Sequence, residues 1–255
     1  MTRRAPGFSL IEMAFVLIIV TLLLGGLLVP FATQVEQKRI AETQKAMEEI
    51  KEALLGFAVA NGRLPCPDLV AGAGANDGLE DPLGGPCAAA PGITSTEGNL
   101  PWATLGVANS DAWGNRFRYR VTNVFARSPP AFTLADSGTL SVCGAAPTIG
   151  APNTCPANQS IASNVPAVVL SSGKNGFGGV SANTGVANFA PISDDEKENT
   201  TAGNNNYFFV SRIPTAASAP CDGAGQPRCE FDDLVIWLSP NVLFNRMVAA
   251  GKLPY

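Results

Sequence analysis

The sequence predicts an α+β chain in which a long N-terminal transmembrane and stalk helix packs on a small antiparallel β-sheet with long, disulfide-clipped loops. Three observations carry that expectation: an apolar run near the N-terminus, an amphipathic stretch directly after it, and a remainder of short apolar bursts among Gly, Pro, Asn, Ser and six cysteines. The chain divides accordingly into a short basic segment 1–7, a transmembrane half-helix 8–32, an amphipathic half-helix 33–60 and a globular head 61–255. With 17 Lys+Arg against 21 Asp+Glu, the net charge of −4 argues against a chain held mainly on nucleic acid or on an anionic membrane surface. Histidine is absent, which removes Ser-His-Asp and Cys-His nucleophiles, His-ligated zinc or haem, and a histidine pH switch.

Between Met13 and Ala32 every residue except Thr21 is apolar, Gly or Pro. A helix of about 20 residues at ~1.5 Å each matches the roughly 30 Å of a bilayer core, so this run reads as a membrane span. Arg3 and Arg4 precede it, whereas Glu36 balances Lys38 and Arg39 beyond it, and the positive-inside rule then places the N-terminus in the cytoplasm and exports the rest. A cleaved secretory or twin-arginine signal is the alternative. The run is longer than the usual ~7–15 residue core of such a signal, and no small-x-small site follows.

Glu12 stands at the head of the apolar run, where an ionisable side chain carries a cost and therefore a reason. The stretch Gly7-Phe8-Ser9-Leu10-Ile11-Glu12-Met13 behind a short basic leader resembles the processing site of type IV prepilins and type II secretion pseudopilins. The resemblance implies a pilin-like fold, a cytoplasmic leader 1–7, and cutting between Gly7 and Phe8 by the prepilin peptidase with N-methylation of Phe8. It further implies assembly through Glu12, which neutralises the new amine of a neighbouring subunit. Implied partners are that peptidase, other pilin or pseudopilin subunits, an inner-membrane assembly platform and the membrane itself. The implied place is a single-pass inner-membrane protein with a periplasmic head, held in a filament after assembly. A capping role at the helix N-terminus is the plainer reading of Glu12. Gly25, Gly26 and Pro30 weaken the helix within the span.

From Thr33 to Ala60, Ile40, Met47 and Leu54 recur seven apart with Thr43, Ile50 and Phe57 interleaved, giving one apolar stripe with charges beside it. The stripe suits packing on the chain's own head. A coiled coil is the alternative, with a short seam that contains Thr43. Asn61-Gly62 and Pro65 predict the helix end.

In the head, the bursts Phe117–Val124, Thr139–Cys143, Ala167–Leu170, Tyr207–Val210 and Leu234–Leu238 read as strands, and Asn241–Ala250 as a short helix. Cys66, Cys87, Cys143, Cys155, Cys221 and Cys229 all fall in the segment expected to meet an oxidising compartment. Nearest-neighbour pairing would clip three local loops, although sequence alone allows 15 connectivities. Without His or a CxxC pair, zinc is disfavoured.

Asn61-Gly62-Arg63-Leu64-Pro65 and Asp111-Ala112-Trp113-Gly114-Asn115 also resemble the helix exit and the Asp-x-Trp-Gly turn of pseudopilins. Val169–Gly176 and Asp232–Trp237 are similar to the two ends of the pseudopilin segment that can hold calcium. No cofactor is required by the remaining chemistry. Calcium is the one candidate, with Asp194, Asp195, Asp232 and Asp233, and also Glu196, as oxygen donors. Against it, Asn175 stands where an acidic ligand is expected, and solvated loop acid is the plainer reading.

The expected function is therefore a non-enzymatic subunit, of minor type, in a type IV pilus or type II secretion pseudopilus. An exported hydrolase or binding domain on an uncleaved anchor is the alternative. It would need two carboxylates about 5–10 Å apart across a cleft, and adjacent acids such as Asp194 and Asp195 seldom face each other that way.

Overall fold

A computed structural model of the chain describes residues 7, 9–69, 76–82, 87, 95–127, 131–145, 155–156, 158–200, 207–215 and 230–253, the side chains of 24–31 excepted. Phe8 of the expected processing site, and Cys221 and Cys229, lie outside the described residues. The chain forms two compact units, Met1–Glu42 and Thr43–Tyr255.

Helix α1 (Leu10–Asn61) begins with a reciprocal cap. The Ser9 hydroxyl accepts the Glu12 amide at 3.3 Å, and Glu12 Oε2 accepts the Ser9 amide at 2.9 Å. This Ser-x-x-Glu pattern satisfies two otherwise orphaned backbone donors. Thr21 returns its hydroxyl to the carbonyls of Leu17 and Ile18, both at 2.9 Å, so its polar group is satisfied within the helix. The helix closes at Gly62, whose φ of +73° and amide bond to the Ala58 carbonyl at 2.8 Å form a left-handed terminus.

In the second unit Thr43, Met47, Ile50, Leu54 and Ala58 form one face of α1 and are buried. Spacings of three and four residues place them on one stripe. They share a core with Phe117, Tyr119 and Val121 of β2 (Arg118–Thr122) and its approach, with Ala167 and Val169 of β5 (Ala167–Ser171), and with Leu238. The first sheet has the order β1-β2-β5-β7, with β1 at Ser95–Asn99 and β7 at Leu234–Leu238, and every pair is antiparallel. Strand β5 is buried on both faces. Its other face joins Leu140, Val142, Val165 and Phe209 in a second core.

That second core belongs to a three-stranded sheet, β4-β3-β6, built from β3 (Leu140–Cys143), β4 (Ser160–Val165) and β6 (Phe208–Val210). Strands β3 and β4 are antiparallel with shifted register, whereas β3 and β6 run parallel. Three one- or two-turn helices join the strands: α2 (Trp102–Leu105), α3 (Asn123–Ala126) and α4 (Asp194–Thr200). The last helix, α5 (Pro240–Ala249), seats Leu243 and Met247 in the first core.

Disulfides link Cys66 to Cys87 and Cys143 to Cys155. Beside the first, Arg63 grips Glu80 through two bonds of 2.8 and 2.7 Å, and Glu80 also accepts the Cys66 amide at 3.0 Å. The chain leaving α1 is thereby fastened to the loop at 76–82.

These findings correct the predicted fold class and placement. A second, mixed sheet and several short helices stand where one small antiparallel sheet with long loops was expected. Among the described residues no helix is long and apolar enough to cross a membrane. The apolar stretch with described side chains, Leu10–Leu23, covers only about 21 Å against the roughly 30 Å of a bilayer core. The transmembrane half-helix is therefore not supported, and the single-pass inner-membrane placement with a periplasmic head falls with it.

The core position of Ile50 yields a direct test. Ile50→Ala should lower unfolding free energy by about 2–5 kcal/mol in urea titrations, while Glu49→Ala, on the solvent side, should leave the midpoint in place.

Candidate metal centre

The turn Asp111–Asn115 is built around a buried carboxylate, Asp111. Asp111 Oδ1 accepts the amides of Trp113 and Asn115, both at 2.9 Å, and Gly114 takes the φ of +87° that closes the turn. Asp111 Oδ2 accepts the Ser171 hydroxyl at 2.7 Å, and Asn115 donates to the Gly173 carbonyl at 3.0 Å. Burial raises the Asp111 carboxyl above its usual range, and the hydrogen bonds from the Ser171 hydroxyl, the Asn115 and Trp113 amides and, at 3.5 Å, the Asn115 side chain oppose that rise. The end of β5 is thus held against the turn, and the Gly173–Gly176 bend is aimed at the segment before β7.

Contact there is close. At Gly173, with φ +59°, a side chain would bring its Cβ within 2.3 Å of the Asp232 carbonyl oxygen, so only glycine fits. The Asn175 amide donates to Asp232 Oδ2 at 2.8 Å, and the Asn175 side-chain amide donates to Glu196 Oε1 at 3.1 Å. Glu196 Oε1 also accepts the Asp232 amide at 3.3 Å. Asn199, one turn along α4, donates to Asp233 Oδ2 at 2.8 Å and clasps both backbone groups of Val210 at 2.7 and 3.1 Å. Arg118 reaches the Asn199 carbonyl at 3.0 Å while also paired with Glu97. Three separate segments therefore converge on one point.

At that point Glu196, Asp232 and Asp233 each bring a carboxylate oxygen within 4.8 Å of the others. Glu196 and Asp233 are 1% and 3% exposed. Burial first, and the neighbouring Asp232 carboxylate among lesser causes, pushes Glu196 up to about 7, and burial drives Asp233 well above the carboxylate range. Three acids so placed repel one another unless protons or a cation neutralise them.

The donor set fits a hard divalent cation. It is all oxygen, it carries up to three negative charges, and Asp233 Oδ1 is sealed from solvent with no hydrogen-bond donor among the described residues. Glu196, Asp232 and Asp233 would hold the ion. Asn175, which occupies the position expected to be acidic, instead hydrogen-bonds to Glu196, whose carboxylate supplies the charge from α4.

The other acids named from sequence lie elsewhere. Asp194 is exposed and pairs with Lys197 at 3.1 Å, and the buried Asp195 is taken up by Arg212 at 2.5 Å. Gly7 is exposed at the chain start, and Glu12 is occupied by the α1 cap. Sequence reasoning placed Glu196 only among several loop acids. Its signal was the pairing of a short acidic helix with Asn199, a contact 34 residues distant from Asp233.

No protein-family model, curated protein or solved structure matches the chain.

The raised carboxyls set a pH dependence. Folded Glu196 keeps its proton up to about pH 7, where an unfolded chain releases it near 4.5, so its contribution to stability is full below 4.5 and is lost as pH rises towards 7. Asp68, raised to about 6 by burial, acts in the same direction. In chelator-treated protein, unfolding midpoints should therefore fall from pH 4.5 to 7. Glu196→Gln, which keeps both acceptor contacts, should flatten part of that fall.

Proposed function

We propose that the chain is a non-enzymatic structural subunit, of minor type, in a type IV pilus or type II secretion pseudopilus. It is cut by prepilin peptidase between Gly7 and Phe8 and assembled through the N-terminal helix. The observation that carries this reading is the heptapeptide Gly7–Met13 placed so that Glu12 falls in the first turn of a 52-residue helix. Exposed apolar residues along Leu10–Leu23 give that helix a surface for like helices to cover. Burial of Thr43–Ala58 in the head's own core supports a division of labour, with the first part of α1 left for neighbours.

Glu12 acts by charge. Its carboxylate answers the amine that cleavage creates on a neighbouring subunit, and once both charges are confined where few waters reach them, pairing is favoured over leaving either one stranded. Other subunits, the peptidase and an assembly platform are the partners. The two disulfides suit assembly in an oxidising compartment. A calcium ion held by Glu196, Asp232 and Asp233 completes the head by tying α4 to the start of β7 and the 173–176 bend.

N-terminal mass spectrometry tests the processing step. The expected mature chain begins at methylated Phe8; a chain retaining Met1–Gly7 in peptidase-competent cells counts against the reading. Glu12→Gln separates cap from charge, because glutamine still accepts the Ser9 amide but carries no negative charge. It should be cut normally and enter filaments poorly, and filament incorporation at the native level would remove the role assigned to Glu12. For the head, calcium should raise the thermal midpoint, with about 2.7 kcal/mol expected at 100 times Kd, and Asp233→Asn should abolish the rise.

A further inference from the structure

Strand β7 has the residues of a central strand in the position of an edge strand. Leu234, Ile236 and Leu238 belong to the first core, and Val235 and Trp237 to the second, so the strand is apolar on both faces. That is the pattern of a strand buried inside a sheet. Here β5 runs beside it through five successive residue pairs, and no other described element lies along the opposite side. Among the described residues, no hydrogen bond reaches the backbone groups of Leu234–Leu238 that face away from β5. Leu234, Ile236 and Trp237 are only half-buried, so the rims of both cores stay open along this edge.

The other edges of the two sheets are guarded. At β1, Asn99 exchanges two backbone bonds with Asp68, at 3.0 and 2.8 Å, and Glu97 adds a charge. At β6, Asn199 occupies both backbone groups of Val210. Strand β4 departs from regular geometry, with register shifts against β3 and a φ of +56° at Asn164. Charges, caps and irregularities of this kind keep an edge from pairing with another chain. Strand β7 has no charged residue, no proline and no break in its register with β5.

We propose that the open edge of β7 pairs with β7 of a second copy of the chain, antiparallel about a two-fold axis at Ile236, joining the two four-stranded sheets into one. In that register Leu234 faces Leu238, Val235 faces Trp237 and Ile236 faces its own counterpart, so apolar meets apolar at every position. Charge selects the orientation. Asp232 and Asp233 directly precede the strand, and parallel in-register pairing would set these acids of the two copies side by side. Antiparallel pairing sends them to opposite ends of the joint, where Asp232 faces Pro240 and Asp233 faces Ser239. The inference rests on neither the filament reading nor a bound ion.

The test uses the full chain and two readouts. In hydrogen exchange of the wild type, the amides of Leu234–Leu238 that face away from β5 should slow about tenfold or more as protein concentration is raised, while those of α5 keep their rates. In sedimentation velocity, Ile236→Lys and Ile236→Glu each set like charges face to face across the axis and should weaken the dimer about tenfold or more. Mixing the two variants sets Lys against Glu and should restore the dimer as a heterodimer. Association through the exposed apolar stretch Leu10–Leu23 would survive both substitutions and leave exchange in β7 independent of concentration. That result overturns the proposal, as does a wild-type chain whose β7 amides gain no protection on concentration; the second outcome is decisive even where a variant fails to fold.

Discussion

Burial of one stripe of α1 against the first sheet is the constraint on which the head depends. Met47, Ile50, Leu54 and Ala58 are each at most 2% exposed, and Phe117, Tyr119 and Val121 meet them from the sheet. A four-stranded sheet with one face uncovered would leave an apolar surface in water, and this helix face is the cover. Because β5 lies between two cores, the same packing also fixes where the second sheet can sit. Val168 and Leu170 then supply the floor on which β3 and β6 rest.

The polar interior follows from that arrangement. Once β2 and β5 are fixed, the turn at Asp111 and the bend at Gly173 are brought side by side, and Asp111, Ser171 and Asn115 join them. Arg118 of β2 reaches the Asn199 carbonyl of α4, Arg120 lies over the Tyr207 ring, and Glu97 pairs with both. Charged groups are thus sorted within the head. Arginines gather with Glu97 along β2, while Glu196, Asp232 and Asp233 collect on the far side of Asn199.

Much of this was legible in the residues, and the parts that were not have physical causes. The bursts rich in β-branched and aromatic residues at 117–124, 139–143, 167–170, 207–210 and 234–238 coincide with β2, β3, β5, β6 and β7. Strands β1 and β4 escaped notice because Ser-Thr-Glu-Gly-Asn and Ser-Ile-Ala-Ser-Asn-Val carry little apolar pattern and are formed by pairing with stronger neighbours. Helix α4 is a polar heptapeptide held by Asn199 and the Arg212–Asp195 pair, which local propensity does not register. For the same reason, sequence put Asp194 and Asp195 beside Asp232 and Asp233 as equals. In the fold, side chains one residue apart on a helix face different ways, and the third carboxylate came from Glu196.

Thr43 carries a consequence of another kind. Its hydroxyl, 1% exposed, accepts the Ala112 amide at 3.2 Å, joining the buried face of α1 to the Asp111 turn. An all-apolar stripe can slide lengthwise by one helical turn of about 5.4 Å and still find grease to rest on. A hydroxyl with one designated amide cannot, because the slip strands both groups away from water. Thr43 therefore works as a detent. The buried stretch of α1 is thereby held to a single lengthwise register against the Asp111 turn.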